Sequence, residues 1–218
     1  MSKKVGNASQ NSGLTRKQAD LLKIFAKEPW KSFTVSEIRI KMKSKSHHYM
    51  YGAINVLERK KILKAQTTGK TQAYAVDYEN DNNANYLALA EHAIKEERQD
   101  IPFSNLKQIT DFIKSPFYVL VVGGSYAEGK QKTSSDIDVA IIVPDCESKK
   151  PFEAALMRGE LIIPEVHGFV FTREEFYRML VNSEYNFGKE LARKHILVGG
   201  AEAYYKILFE AMKHGFKG

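Results

Sequence analysis

Cysteine is nearly absent: Cys146 stands alone among 218 residues. That excludes an internal disulfide framework and a multi-cysteine zinc site, and a reducing, cytoplasmic setting is expected. Long apolar runs are missing too. The longest, Phe117 to Val122, has six residues, against the roughly 20 of a membrane helix, so no membrane partner is expected. Residues 1–13 are polar, lack the apolar core of a secretory signal and read as a disordered lead-in. Acidic residues are scarce at one end only. Up to Val76 there are four Asp and Glu against sixteen Lys and Arg, a net charge of +12, and the remainder carries −5. Such asymmetry points to two units with different partners, the first facing a polyanion, most simply nucleic acid.

What is present is globular: 43% hydrophobic and 27% charged residues, enough for one large domain or two small ones. Thr15 is placed to cap a helix reaching about Ala26, with Leu21, Leu22, Ile24 and Phe25 on its apolar side. Glu28-Pro29 stops it. Thr34 and Glu37 form a capping box for a second helix carrying Val35, Ile38, Ile40 and Met42. Ser46 would cap a third, His47 to about Lys60, with Met50, Ile54 and Leu57 spaced for burial. Two strands, 62–66 and 71–76, flank the turn Thr67-Thr68-Gly69-Lys70. Residues 79–85 are polar and rich in Asn, and read as a linker. Helices are expected over 86–97 and 104–114.

Phe117 to Val122 reads as a buried strand that opens into Gly123-Gly124-Ser125-Tyr126-Ala127-Glu128-Gly129-Lys130. Gly124, Gly129 and Lys130 fit most of a phosphate-binding P-loop, but Gln131 lacks the hydroxyl that pattern requires. A second strand follows at 136–143. Alternation projects Asp136 and Asp138 to one face, and two adjacent carboxylates repel unless a cation lies between them. Oxygen ligands suit Mg²⁺ or Mn²⁺. Glu165, heading a third strand at 164–171, is the candidate third acid; Glu160 is its rival in the preceding turn. His167 would share the side of Glu165, as a hydrogen-bonded strand histidine.

Two resemblances follow from these residues. The order helix, helix, helix, hairpin, with Leu57-Glu58-Arg59-Lys60-Lys61-Ile62-Leu63 running into Thr68-Gly69-Lys70-Thr71, resembles a winged helix-turn-helix over residues 14–78. That implies double-stranded DNA as a partner, with Lys43, Lys45, Ser46, His47, His48 and Tyr49 at the leading end of the reading helix and Lys70 at the wing tip. Gly124-Ser125, ten residues, then Asp136-Ile137-Asp138 resembles the minimal nucleotidyltransferases of the DNA polymerase β superfamily over residues 115–172. The segment 186–193, with Gly200-Ala201-Glu202 and Tyr204-Tyr205, looks like the C-terminal helices of prokaryotic members.

The implied fold class is α+β. It joins an N-terminal winged helix of three helices plus a hairpin to a nucleotidyltransferase domain over 86–218, with a small mixed sheet and flanking helices. The resemblance implies that Gly123, Gly124 and Ser125 bind nucleotide, and that Asp136, Asp138 and Glu165 hold Mg²⁺ or Mn²⁺ and act as the catalytic acids. ATP or another NTP would be the substrate, and a nucleoside monophosphate would pass to a hydroxyl acceptor. A tyrosine of a helical partner protein, as in antitoxin-like members, is one acceptor; a small alcohol such as an aminoglycoside is another. The alternative is a transcription regulator whose nucleotidyltransferase domain senses nucleotide without catalysis. A homodimer is compatible with either.

Overall fold

The computed structural model describes residues 13–44, 47–69 and 71–218. Helix α1 (Arg16–Lys27) starts where Thr15 and Gln18 cap each other's backbone amides. Thr34 and Glu37 do the same for α2 (Val35–Lys41), with Thr34 N–H donating to Glu37 at 2.7 Å. Between them lies β1 (Phe33–Thr34), two residues that sequence alternation does not announce. Helix α3 (His47–Arg59) leads into β2 (Leu63–Thr68) and β3 (Thr71–Val76). The three strands form an antiparallel sheet in the order β1-β3-β2, closed by the pairing of Phe33 with Tyr74. Ile38 is fully buried, but Ile40 points outward and is 69% exposed. A seven-residue helix has one inward stripe, and Val35 and Ile38 fill it.

The Asn-rich run does not stay polar and free throughout. Asn83 opens α4 (Asn83–Glu97), is 1% exposed, and donates to the carbonyls of Lys61 (2.8 Å) and Asp77 (2.7 Å). It thereby satisfies backbone acceptors where α3 and β3 end. Helix α4 packs against α1 on one side and against the C-terminal elements on the other. One continuous apolar cluster consequently extends from Leu21 to Phe216.

After α5 (Phe103–Thr110) comes a four-stranded sheet in the order β6-β5-β4-β7. Its members are β4 (Val119–Val122), β5 (Ile137–Val143), β6 (Val166–Thr172) and β7 (Ile196–Gly199). Strands β5 and β6 run parallel; β4 is antiparallel to both β5 and β7. A parallel pair needs a crossover, supplied by α7 (Lys150–Met157) and a 3-10 turn (Gly159–Leu161). The three strands expected over this stretch therefore share one sheet, joined as β-α-β-α-β. Strand β7 was not expected: Ile196-Leu197-Val198 is a short apolar run between helices, and only its pairing with β4 makes it a strand. Helices α6 (Gly124–Glu128), α8 (Arg173–Val181), α9 (Phe187–Arg193) and α10 (Ala201–Lys213) complete the chain. No helix among the described residues is long and apolar enough to cross a membrane.

Candidate active site

Strand β4 ends at a turn that glycine alone can make. Gly124 has φ +57, and a Cβ there would sit 1.9 Å from Asp138 Oδ2. The carboxylate of Asp138 therefore lies directly over the bare Cα of Gly124. The turn is tied to the same strand by Gly123 N–H, which donates to the Asp138 carbonyl at 2.8 Å. Ser125 follows, half-buried in the first turn of α6.

Asp136 and Asp138 share one face of the β5 segment, while Ile137 and Val139 are buried on the other. The parallel register sets His167 beside Asp138, and Ile137 N–H donates to the Glu165 carbonyl at 2.8 Å. Glu165 and His167 thus meet the two aspartates on one side of the sheet. Carboxylate oxygens of Asp136 and Glu165 and a ring nitrogen of His167 lie within 4.8 Å of one another. His167 Nε2 is 3.1 Å from Glu165 Oε2 and 3.7 Å from Asp136 Oδ2. The tight triad contains His167 and not Asp138. Loss of hydration, and secondly the charges of Asp136 and Glu190, raise the pKa of Asp138 above the ordinary carboxylate value; His167 pulls the other way. Glu160 sits in the 3-10 turn and is outside the cluster.

Further along the same face of β6 stand Phe169 and Phe171, which with Phe187 of α9 form a trio with ring centroids 5.6–6.2 Å apart. Phe169 is 62% exposed, so the carboxylate cluster borders an open aromatic shelf.

The far end of α6 is held by a residue that no motif indicated. Arg98 donates to the carbonyl of Tyr126, which also accepts from Gly129 N–H, and at 2.9 Å to that of Ala127 at the helix end. Asp100 grips the same guanidinium through two bonds of 2.8 Å, and Gln131 donates to Asp100. Arg98 holds the Asp100 carboxyl down at about 2. Gly129 has φ +67 as the C-terminal cap of α6, so Lys130 lies beyond the end of the helix, 3.6 Å from Glu128. A P-loop lysine opens its helix; that reading fails here. Lys189 spends its ammonium on the carbonyls of Asn182 and Ser183, and Arg193 donates to the Gly218 carbonyl.

Of the residues expected at DNA, Lys43 stands in the turn after α2 with φ +51. His47, His48 and Tyr49 open α3 along the backbone, but their side chains lie outside the described part. Lys45, Ser46 and Lys70 lie outside the described residues.

Residues 105–198, from α5 into β7, match the family model described as Nucleotidyltransferase domain. The C-terminal part of the chain therefore carries such a domain, and the Gly-Ser turn and the acids fall within it. No curated protein matches the chain. Among solved structures, a mutant of Lactococcus lactis ZitR is 19% identical with a TM-score of 0.32, covering 49% of this chain and 67% of its own. A toxin-antitoxin crystallised with AMP-PNP is 12% identical with a TM-score of 0.37, covering 52% and 87%. At those scores neither likeness carries an argument.

Proposed function

We propose that the chain is a nucleotidyltransferase that passes a nucleoside monophosphate from an NTP, ATP in the first instance, to a hydroxyl acceptor, and that its N-terminal module binds double-stranded DNA. The observation that carries the first part is the meeting of Asp136, Glu165 and His167 beside the Gly123–Ser125 turn, inside the segment that matches the family model.

The donor set fits a divalent cation. Two carboxylates and an imidazole within 4.8 Å, with Asp138 adjoining, concentrate negative charge that a cation would neutralise. Asp136, Asp138 and Glu165 would hold Mg²⁺, and His167 makes Mn²⁺ equally suitable. When bound, the ion supplies charge neutralisation at the phosphates and a more acidic acceptor hydroxyl. Gly124 makes room for the Asp138 carboxylate against the turn, and Ser125 offers a hydroxyl and an amide to the phosphate chain. The acceptor oxygen attacks the α-phosphorus in line, its proton passes to a site carboxylate, and pyrophosphate leaves. The Phe169, Phe171 and Phe187 shelf suits a planar group, either the base of the nucleotide or an aromatic acceptor such as the tyrosine of a partner protein.

Support for the DNA reading is the charge of +12 up to Val76 and the order of three helices and an antiparallel hairpin. The test of the whole is purified chain with Mg²⁺ or Mn²⁺ and α-labelled ATP. Pyrophosphate release and label on an added or co-purified acceptor are expected. Nucleotide binding with no pyrophosphate under any acceptor would replace catalysis with the sensor reading.

A further inference from the structure

A second cleft lies away from the acids. It opens where α1, α4, the end of α6 and α9 meet, encloses about 500 Å³, and none of Asp136, Asp138, Glu165 or His167 lines it. Its walls carry six basic side chains against three carboxylates. Two of the cations are braced: Lys23 between Asp20 (2.8 Å) and Glu97 (2.5 Å), and Arg98 by Asp100 and the α6 carbonyls. Lys130 and Lys194 share the single carboxylate of Glu128, at 3.6 and 2.5 Å. Lys27 and Arg193 have no side-chain carboxylate partner among the described residues. His195 also lines the cleft; its side chain is 3% exposed and its Nε2 is turned to the buried Glu91 carboxylate at 3.4 Å.

Lys23 and Arg98 are neutralised by their partners and Glu28 is held by Lys31 and Lys41, so the uncompensated charge is that of Lys27, Arg193 and one of Lys130 and Lys194. Like charges gathered in one concave cleft raise the local potential, and an anion relieves it. The Arg98 fork is already taken, so Arg193 with the ammoniums of Lys27, Lys130 and Lys194 supplies the donors, a set that suits an oxyanion accepting several hydrogen bonds at once. The volume falls in the range of small-ligand sites, about 300–1,000 Å³. An anion of single charge would leave an excess, whereas a polyphosphate would cancel it.

We propose that this cleft binds a compact, multiply charged phosphate anion. Because Lys23 and Lys27 come from α1 and Arg193 and Lys194 from α9 and its end, the occupant ties the N-terminal helices to the nucleotidyltransferase sheet. The site is independent of the transfer reading, since it shares no residue with the acidic cluster. The phosphates could come from a free polyphosphate or from a nucleic-acid backbone; a volume of about 500 Å³ suits the compact free one.

The test is calorimetry on the full chain with sodium tripolyphosphate, in EDTA and at fixed ionic strength, so that no divalent ion recruits phosphate to the acids. Saturable binding is expected. Lys27→Ala with Arg193→Ala should weaken it at least about tenfold, while Ser125→Ala should leave it within about twofold. Both replaced side chains are exposed, so the double variant should keep the circular dichroism of the wild type. Lys130→Ala gives a second, milder reading of the same site, with a loss of about threefold. The proposal is overturned by an absence of saturable binding, by a double variant that binds as the wild type does, or by loss with Ser125→Ala alone. It is also overturned if a short single-stranded oligonucleotide binds through Lys27 and Arg193 while tripolyphosphate does not.

Discussion

The hydroxyl of Tyr205 lies 2.8 Å from Glu91 Oε1 in a site where Glu91 is 1% and Tyr205 0% exposed. The same hydroxyl is 2.9 Å from the carbonyl of Ala26, at the end of α1. Burial, and secondly the Glu91 charge, push the Tyr205 phenol well above its ordinary range. The phenol therefore keeps its proton and donates it. Three helices from opposite ends of the chain meet at one polar contact, with His195 Nε2 3.4 Å from the same carboxylate.

Removing that donor should be costly. Tyr205→Phe leaves Glu91 Oε1 without its hydrogen bond in an apolar setting, and Glu91 Oε2 already has none. A loss of about 1–3 kcal/mol is expected, read as a shift in urea midpoint. Trp30 reports the N-terminal part, and its ring packs 5.3 Å from that of Phe216. Its fluorescence and the far-ultraviolet dichroism should therefore unfold together in the wild type. Separate transitions would show that the two parts are energetically uncoupled.

Gly124→Ala tests the turn. The new methyl would meet the Asp138 carboxylate at 1.9 Å in a backbone conformation that costs an L-residue about 1 kcal/mol or more. Displacing Asp138 by even 1 Å should lower transfer about 10²-fold, with the melting temperature changed far less. Activity equal to wild type would remove Gly124 and Asp138 from the site.

Asp138→Asn should abolish divalent-dependent transfer and stabilise the metal-free chain. The sign follows from the raised pKa: folding favours the protonated acid, so this group's contribution is present at low pH and lost as pH rises through the raised folded value. At neutral pH the charged Asp138 is a cost, first through its lost hydration and then beside Asp136, and the amide removes the charge. Scanning calorimetry in EDTA should give a higher melting temperature for the variant, and a lower one contradicts the account of a charge penalised by burial and by Asp136.

Asp100 has the opposite sign. Arg98 holds it at about 2 against an ordinary 3.8, so its contribution is full above pH 3.8 and lost as pH falls through 2. The pair is partly solvated, which limits the term to under about 1 kcal/mol. Asp100→Asn should be less stable than wild type at pH 6, with the gap closing between pH 4 and 2. A gap that does not change with pH would assign the effect to packing.

Lys43, Lys45 and Lys70 exchanged for Glu should weaken binding to duplex DNA. The slope of log affinity against log salt should fall by roughly one for each phosphate that is no longer neutralised. Fluorescence anisotropy across a salt series reads both. Unchanged affinity would move the DNA surface elsewhere.

Much of the architecture is local and therefore legible along the chain. Thr15 as a cap, and Thr34 with Glu37 as a capping box, mark helix starts because each satisfies backbone amides within four residues. Alternation around Asp136 and Asp138 marks the face of β5, and the glycine at 124 marks a turn that other residues cannot make. Strands β1 and β7 were not legible: two and four residues acquire ladder bonds only when β3 and β4 are already beside them. The same holds for the site. Ser125, the aspartates and Glu165 could be named from spacing. That His167 joins Asp136 and Glu165, while Asp138 lies over Gly124, depends on the β5–β6 register. Arg98 clasping α6 across 28 and 29 residues, Glu91 buried under Tyr205, and the cationic cleft between α1 and α9 had no sequence signal. Each depends on groups distant in the chain, and only tertiary packing decides which charge loses its water and which partner replaces it.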